Sequence, residues 1–160
     1  MEGLKKVAVI CVLKNGNNFL LLKRAKEPNQ GMYVPVGGKI DPYETPHAAA
    51  LRETFEETGI RVDSMKFCGV LSETSPTKYN WMSYIYQAEI EWQPAPPCNE
   101  GELEWIELEN ILNLPTPPTD WIIYQYLLEN KPFVFCAVLD EQLNLITMRD
   151  ELEDVVVFQN

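Results

Sequence analysis

Two apolar, β-branched runs open the chain, KKVAVICVL and NNFLLLKR. The turn-forming Lys14-Asn15-Gly16-Asn17 separates them, and together they predict a β-hairpin. The prolines and glycines of PNQGMYVPVGGKIDPY exclude a long helix and predict loop, short strand, loop. A helix follows, framed by Thr45 as N-cap, Pro46 at the first helical position and Gly59 as the left-handed residue just past the end. It spans about three to four turns. Within it the spacing of Ala48, Leu51 and Phe55 predicts the core-packing face, and Ala49 and Ala50 keep the neighbouring surface low.

In the second half, RVDSMKFCGVLSET and YNWMSYIYQAEIEW predict strands, the latter alternating as a strand between two environments does. PAPP and LPTPPT are proline-stiffened loops, and ELEWIELENIL between them reads as a strand running into a short helix. TDWIIYQYLLEN has helical spacing with Thr119 or Asp120 as cap, and KPFVFCAVL with QLNLITMRDEL predicts a closing hairpin. The acidic tail RDELEDVVVFQN leaves three outcomes open: continuing a strand, covering the sheet edge, or meeting a second subunit in a homodimer. Strands outnumber helices and separate them, so the predicted class is α/β (α+β), a mixed β-sheet with helices packed on its faces. At 160 residues, 46% of them hydrophobic, without repeats or an internal linker, residues 1–160 are expected to form one domain.

Charge narrows the partners. The formal net charge is -11 and no basic arm or stripe offsets it, which argues against a nucleic acid polymer or an anionic membrane as ligand. A small polyanion can still bind if a cation lies between it and the protein. Cys11, Cys68, Cys98 and Cys136 form neither a CxxC pair nor a disulfide framework, so reduced, mostly buried thiols are expected. His47 is the single histidine, which excludes a multi-histidine zinc site and leaves carboxylate oxygen as the plentiful ligand type; it reads as a surface residue near a helix start. The apolar run near the N-terminus is too short to span a bilayer and lacks a small-residue cleavage site, so a cytoplasmic location is expected.

The helix from Pro46 carries the chemistry. Glu53, Glu56 and Glu57 stand at i, i+3 and i+4, on adjoining parts of one surface. Like charges so placed destabilise a helix by roughly 0.2–0.5 kcal/mol per pair, which points to a neutralising cation. Hard divalent ions such as Mg²⁺ take carboxylate oxygens, keep several waters and are commonly shared with a substrate phosphate. Arg52, four residues before Glu56, is placed to hold that carboxylate. The Gly37-Gly38 pair permits close approach of the backbone, and Glu44 either orders the preceding loop or joins the metal shell. Taken alone, the triple also fits a solvated acidic helix face.

Gly38, five residues, Glu44, seven residues, then RETFEETGI resembles the Nudix box, G-x5-E-x7-R-E-U-x-E-E-x-G-U with U apolar. Every fixed position matches. Thr54 stands where the family prefers an aliphatic residue, and it keeps the β-branched shape. The resemblance, over residues 38–60, implies the Nudix-type α/β/α sandwich and a hydrolase that cleaves a nucleoside diphosphate linked to another moiety, using Mg²⁺ or Mn²⁺. Carried over residue by residue, it makes Glu53, Glu56 and Glu57 metal ligands, with backbone oxygen from the Gly38 region. Glu53 is then the first choice as general base, with Glu100 or Glu102 of CNEGELEW as loop candidates. Flanking segments resemble nucleoside triphosphate members of the MutT type, including sanitisers of oxidised purines. That implies phosphate contact from Lys23, with Arg24 and Lys39 nearby, and base reading by Asp120, which fits a helix cap equally well. Val34 stands where such members tend to have asparagine, which weakens the case for 8-oxoguanine in particular. Tyr33, Trp81, Met82 and Trp121 are the residues available to stack on a base. ADP-ribose, a sugar nucleotide or a dinucleoside polyphosphate is the alternative substrate, and a silent nucleotide-binding domain is the non-enzymatic one.

Overall fold

The computed structural model describes residues 1–160 and bears out the mixed architecture. Strands β1 (Lys6–Asn15) and β2 (Asn18–Arg24) form the expected hairpin, pairing Leu13 with Leu20 and Asn15 with Asn18. Short strands β3 (Tyr33–Val34) and β4 (Val36–Lys39) follow, then helix α1 (Pro46–Thr58). After it come β5 (Lys66–Thr74), β6 (Trp81–Glu89), β7 (Pro97–Cys98) and β8 (Gly101–Glu107), then α2 (Leu108–Ile111) and α3 (Pro118–Leu128). The chain closes with β9 (Phe133–Leu139), β10 (Leu145–Asp150) and β11 (Val155–Gln159). No helix is long and apolar enough to cross a membrane.

All eleven strands belong to one sheet, ordered β11-β10-β9-β5-β6-β1-β2-β8-β7, with β3 against β2 and β4 against β1. The β1–β6 and β5–β9 pairs are parallel and the others antiparallel. Pairing around β1 changes hands along its length. Leu13–Asn15 pair with β2, whereas Ala8–Cys11 pair with β4. Beyond Leu20, β2 therefore parts from β1 and runs with β3 and β8. The acidic tail turns at residues 151–154 and returns as β11, which pairs with β10 and covers that edge of the sheet, the second of its three outcomes.

Strand alternation sends neighbouring side chains to opposite faces. On one face Val9, Cys11, Leu13, Leu20, Leu22 and Val36 pack with Ala49 and Ala50 of α1. On the other, Val12, Phe19, Leu21, Leu71, Ile85 and Phe135 pack with Ile123, Tyr124 and Leu127 of α3.

Both ends of α1 match expectation. Thr45 Oγ1 accepts the Ala48 N–H at 3.2 Å, and Gly59, at φ 71°, donates its N–H to Phe55 O at 2.7 Å. The buried face is a different one from that expected. Ala49, Ala50, Thr54 and Thr58 are buried, whereas Ala48 is exposed, Leu51 half-buried and Phe55 40% exposed under the Arg61 guanidinium. Small residues let the helix lie close on β1: Cys11 Sγ donates to Ala50 O at 3.5 Å. The polar face members satisfy themselves locally, Thr54 Oγ1 against Met65 Sδ at 3.6 Å and Thr58 Oγ1 donating to Thr54 O at 2.6 Å.

Two further expectations change. Helix α3 begins at Pro118 after Pro117, so neither Thr119 nor Asp120 caps it; both are buried inside its first turn. His47 is half-buried rather than on the surface, its Nε2 accepting the Met65 N–H at 3.1 Å beside the Tyr86 ring. Of the four free cysteines, Cys11 and Cys68 are buried and the other two half-buried.

The revised face of α1 makes a measurable prediction. Ala50→Leu should cost about 1–3 kcal/mol in urea unfolding, because the helix has no room to accept added methylenes. Phe55→Ala should cost under about 1 kcal/mol, the scale of an exposed cation–π contact. The reverse ranking would restore Ala48, Leu51 and Phe55 as the packing face.

Candidate active site

Where α1 crosses β4, its acidic side chains meet bare backbone. A Cβ added to Gly38 would lie 2.4 Å from the Glu53 Cδ, so the carboxylate occupies the space a side chain there would fill. A Cβ on Gly37 would strike Val9 O at 2.2 Å, which keeps β4 tight on β1. The Gly37 N–H donates to Glu57 Oε2 at 2.8 Å. Gly37 is thus required by close approach of backbone, and Gly38 by the position of the Glu53 carboxylate.

Arg52 organises the rest. Its Nε donates to Glu44 Oε1 at 2.8 Å and its Nη2 to Glu44 Oε2 at 2.9 Å, a two-pronged pair of the kind that fixes direction as well as distance. Nη1 donates to Glu53 Oε1 at 2.8 Å and Glu56 Oε2 at 3.1 Å, and Nη2 also reaches Lys39 O at 3.0 Å. Glu44 in turn accepts the Asp41 N–H at 3.0 Å. The open alternative for Glu44 resolves toward loop ordering, since Arg52 and that N–H occupy both of its oxygens. These bonds hold the Glu44 carboxyl down at about 2.

Glu57 is pushed the other way, up to about 7, chiefly by burial, with Glu53 and Glu100 adding repulsion and the Gly37 N–H and Arg24 opposing it. A carboxylate with such neighbours favours a cation. Glu53, Glu57 and Glu100, all hard oxygen donors, fit a partly hydrated Mg²⁺ or Mn²⁺ better than a soft metal. The expected convergence of Glu53, Glu56 and Glu57 needs correction, however: no three acidic side chains form a ready cage, because Arg52 draws Glu53 and the exposed Glu56 to itself. A cation binding here displaces or shares those arginine bonds.

The other residues singled out from sequence are distributed over both faces. Glu100, in the turn before β8, comes near Glu57, whereas Glu102 lies on the α3 side near Tyr33. Lys23 follows the alternation of Phe19 and Leu21 onto the α3 side, its Nζ 5.9 Å from the Tyr33 ring centroid. Arg24 follows Leu20 and Leu22 onto the α1 side, and its charge is felt by Glu57. Reading β2 by parity from its apolar residues would have put Arg24 ahead of Lys23. Lys39 is exposed at the end of β4 and meets Arg52 through its carbonyl. Trp81 alternates with Ile85 onto the α3 side and Met82 with Tyr86 onto the other.

Asp120 is 7% exposed in the first turn of α3. Burial pushes it up to about 8, the Glu73 charge adds to this, and the Thr119 hydroxyl opposes it. Glu73 is itself pushed up to about 7 by burial, against the Tyr79 hydroxyl and Lys5. Sequence reading passed over Glu73; its alternation with Leu71 places it on the α3 face.

Comparison with known proteins agrees with this geometry. The NUDIX domain profile matches residues 4–127. An uncharacterized Nudix hydrolase of Bacillus subtilis, YvcI, is 29% identical over 126 residues, 76% of this chain and 78% of its own. YtkD of the same organism, described as a putative 8-oxo-dGTP diphosphatase, is 40% identical over 87 residues, 54% of this chain and 51% of its own. Among solved structures, the MutT protein of Bacillus halodurans superposes with a TM-score of 0.80 at 24% identity, covering 92% of this chain and 98% of that one. The last likeness speaks for the fold.

Two outcomes are expected. Gly38→Ala should leave the thermal midpoint within a few degrees, since Glu53 can swing away, yet lower Mg²⁺-dependent turnover by at least about tenfold, the scale of a misplaced reacting group. For Asp120, the folded state takes up a proton between the ordinary carboxylate range and about 8, so its contribution to stability falls as pH rises through that window. Asp120→Asn should therefore gain in thermal midpoint relative to the parent between pH 5 and pH 9; a constant difference would remove the buried acid.

Proposed function

The chain belongs to the Nudix family, and from that premise we propose that it cleaves a nucleoside triphosphate to the monophosphate and pyrophosphate, with an oxidised purine nucleotide among its substrates. Nudix hydrolases act on pyrophosphate bonds of small nucleotide substrates and generally use divalent metal ions. The observation that carries the reading is the packing of Glu53 and Glu57 against Gly38 and Gly37, with Glu100 and Arg24 alongside. Support for a triphosphate comes from the MutT-like flanking segments and the partial match to YtkD.

In this reading Glu53 and Glu57, with Glu56 once it leaves Arg52 and a backbone oxygen near Gly38, would hold Mg²⁺ or Mn²⁺. The bound ion supplies charge neutralisation, Lewis-acid polarisation and a more acidic water. Glu53, whose direction Arg52 sets at 2.8 Å, takes the proton from attacking water, with Glu100 as the competing acceptor. Arg24 and Lys39, near the α1 acids, bind phosphate oxygens. Lys23 contacts the ligand from the α3 side. Arg52 keeps Glu53 aimed. The box is complete, so the silent-domain alternative gains no support from its residues.

Hydrolysis of ordinary and oxidised (d)NTPs, ADP-ribose, sugar nucleotides and dinucleoside polyphosphates with Mg²⁺, with both products identified, tests the proposal. Monophosphate plus pyrophosphate from a triphosphate is expected; release of orthophosphate alone would overturn it. Glu53→Gln and Glu57→Gln should each lower kcat by about 10²–10⁴-fold in a folded protein. A greater loss in Glu100→Gln than in Glu53→Gln would transfer the proton-accepting role to Glu100.

A further inference from the structure

The half of the sheet that runs from β6 out to β11 has one face that no helix covers. Helix α3 packs on the other face, against Leu71, Ile85, Phe135 and Met148 of β5, β6, β9 and β10. Alternation sends the intervening residues to the opposite side, where α1 lies over β4, β1 and β6. The strand register lines those residues up in three rows. Tyr84, Val70 and Val134 form the first row, and Met82, Ser72, Cys136, Arg149 and Val156 the second. Thr74, Val138, Thr147 and Gln159 form the third. Val138 is 41% exposed and Val156 48%.

A sheet face left to water is ordinarily polar. Here Arg149 is the one charged residue in the three rows, and it is engaged with Asp154 of the turn that follows β10. The chain has 24 acidic and 13 basic residues, so composition does not account for their scarcity on this face. At its centre β5 and β9 pair in parallel, an arrangement usually covered on both sides. What covers it must be flat and free of charge, because an opposing lysine or glutamate would be buried without a partner. A second copy offers that same surface by symmetry. It also allows two chains of net charge -11 to meet where neither presents an acid. Five strands about 4.8 Å apart, in rows spanning about 20 Å, cover roughly 500 Å² per copy and roughly 1,000 Å² per pair, the lower limit of specific interfaces.

We infer that two copies of the chain associate through this face, sheet on sheet, about a two-fold axis that runs along β9. The strand is the middle one of β11-β10-β9-β5-β6, and Cys136 is the middle one of its outward residues Val134, Cys136 and Val138. An axis lying across the strands would set Arg149 against its own counterpart. An axis along β9 instead lays β10 over β5 and β11 over β6 of the other copy. Arg149 then meets the Ser72 hydroxyl, Val156 meets Met82, and Thr147 meets Thr74, so the face is complementary to itself. Cys136 comes to lie opposite Cys136 of the second copy. Sheets packed face to face lie about 10 Å apart, which brings the two thiols within reach of a short cross-linker.

Sedimentation velocity of the full chain over a concentration series tests this. A reversible monomer–dimer equilibrium is expected, with Kd of about 1–100 µM for an interface of this size. Val138→Glu sets a carboxylate beside the axis and should raise Kd at least about tenfold, since like charges then face each other across the interface. Its thermal midpoint should stay within a few degrees of the parent, because Val138 is already exposed in the single chain. If that variant does not fold, Val156→Glu, opposite Met82, replaces it with the same expected rise. A short bis-maleimide should join two parent chains and leave Cys136→Ser unjoined. A monomer at every concentration, an unchanged Kd in the folded glutamate variant, or cross-linking that persists in Cys136→Ser overturns the inference. None of these readouts depends on the reaction the protein catalyses.

Discussion

The carboxylates of Glu53 and Glu57 can lie against the main chain of β4 only because Gly38 has no side chain and α1 has almost none on its buried face. The two facts are one constraint seen from opposite sides. Ala49, Ala50, Thr54 and Thr58 bring the helix down onto β1 and β4. Gly37 and Gly38 then clear the space into which the acids project. Larger residues in either place would lift the helix and carry the acids away from the backbone. Thr45 and Gly59 fix where the helix begins and ends, and with them the angular positions of residues 53, 56 and 57.

Concentrating acids in this way requires an internal counterweight, and Arg52 supplies it. A guanidinium has five donors in a rigid fork, so one residue can bind Glu44 through two oxygens and still reach Glu53, Glu56 and the Lys39 carbonyl. Lysine, a point charge, would neutralise without directing. The arginine pins the loop through Glu44 and leaves Glu57 as the acid with the least compensation.

Much of this was legible in the chain, and the failures have a common cause. Local signals read correctly: the Gly16 hairpin, the Thr45-Pro46 helix start, the Gly59 stop, and the spacing of Gly38, Glu44, Arg52 and the glutamates. What failed depended on which side of an element meets a partner. Hydrophobicity favoured Ala48, Leu51 and Phe55 as the packing face of α1, but close packing selected for smallness and took Ala50 and Thr54. Asp120 looked like a cap because aspartate commonly is one; two prolines set the helix start ahead of it and turned the acid inward. Glu73 gave no local signal, because its neighbours Tyr79 and Asp120 arrive from elsewhere in the chain.

The sheet itself explains how the two faces come to differ. Since β1 gives up β2 at Leu13 and takes β4 at Cys11, the sheet is split beside the glycines that receive the α1 acids. The α1 side carries concentrated acidic charge around Glu53 and Glu57, whereas the α3 side is the larger apolar core, in which Phe19 packs on Tyr124. Arg24, on the strand that diverges, is the residue whose field spans both. A shift of one residue in the β2 register would send it to the α3 face and Lys23 to the α1 face, exchanging a directing fork for a point charge beside Glu57. The pairing of Leu22 with Leu103 and of Arg24 with Gly101, where a Cβ would meet Lys23 O at 2.0 Å, locks that register.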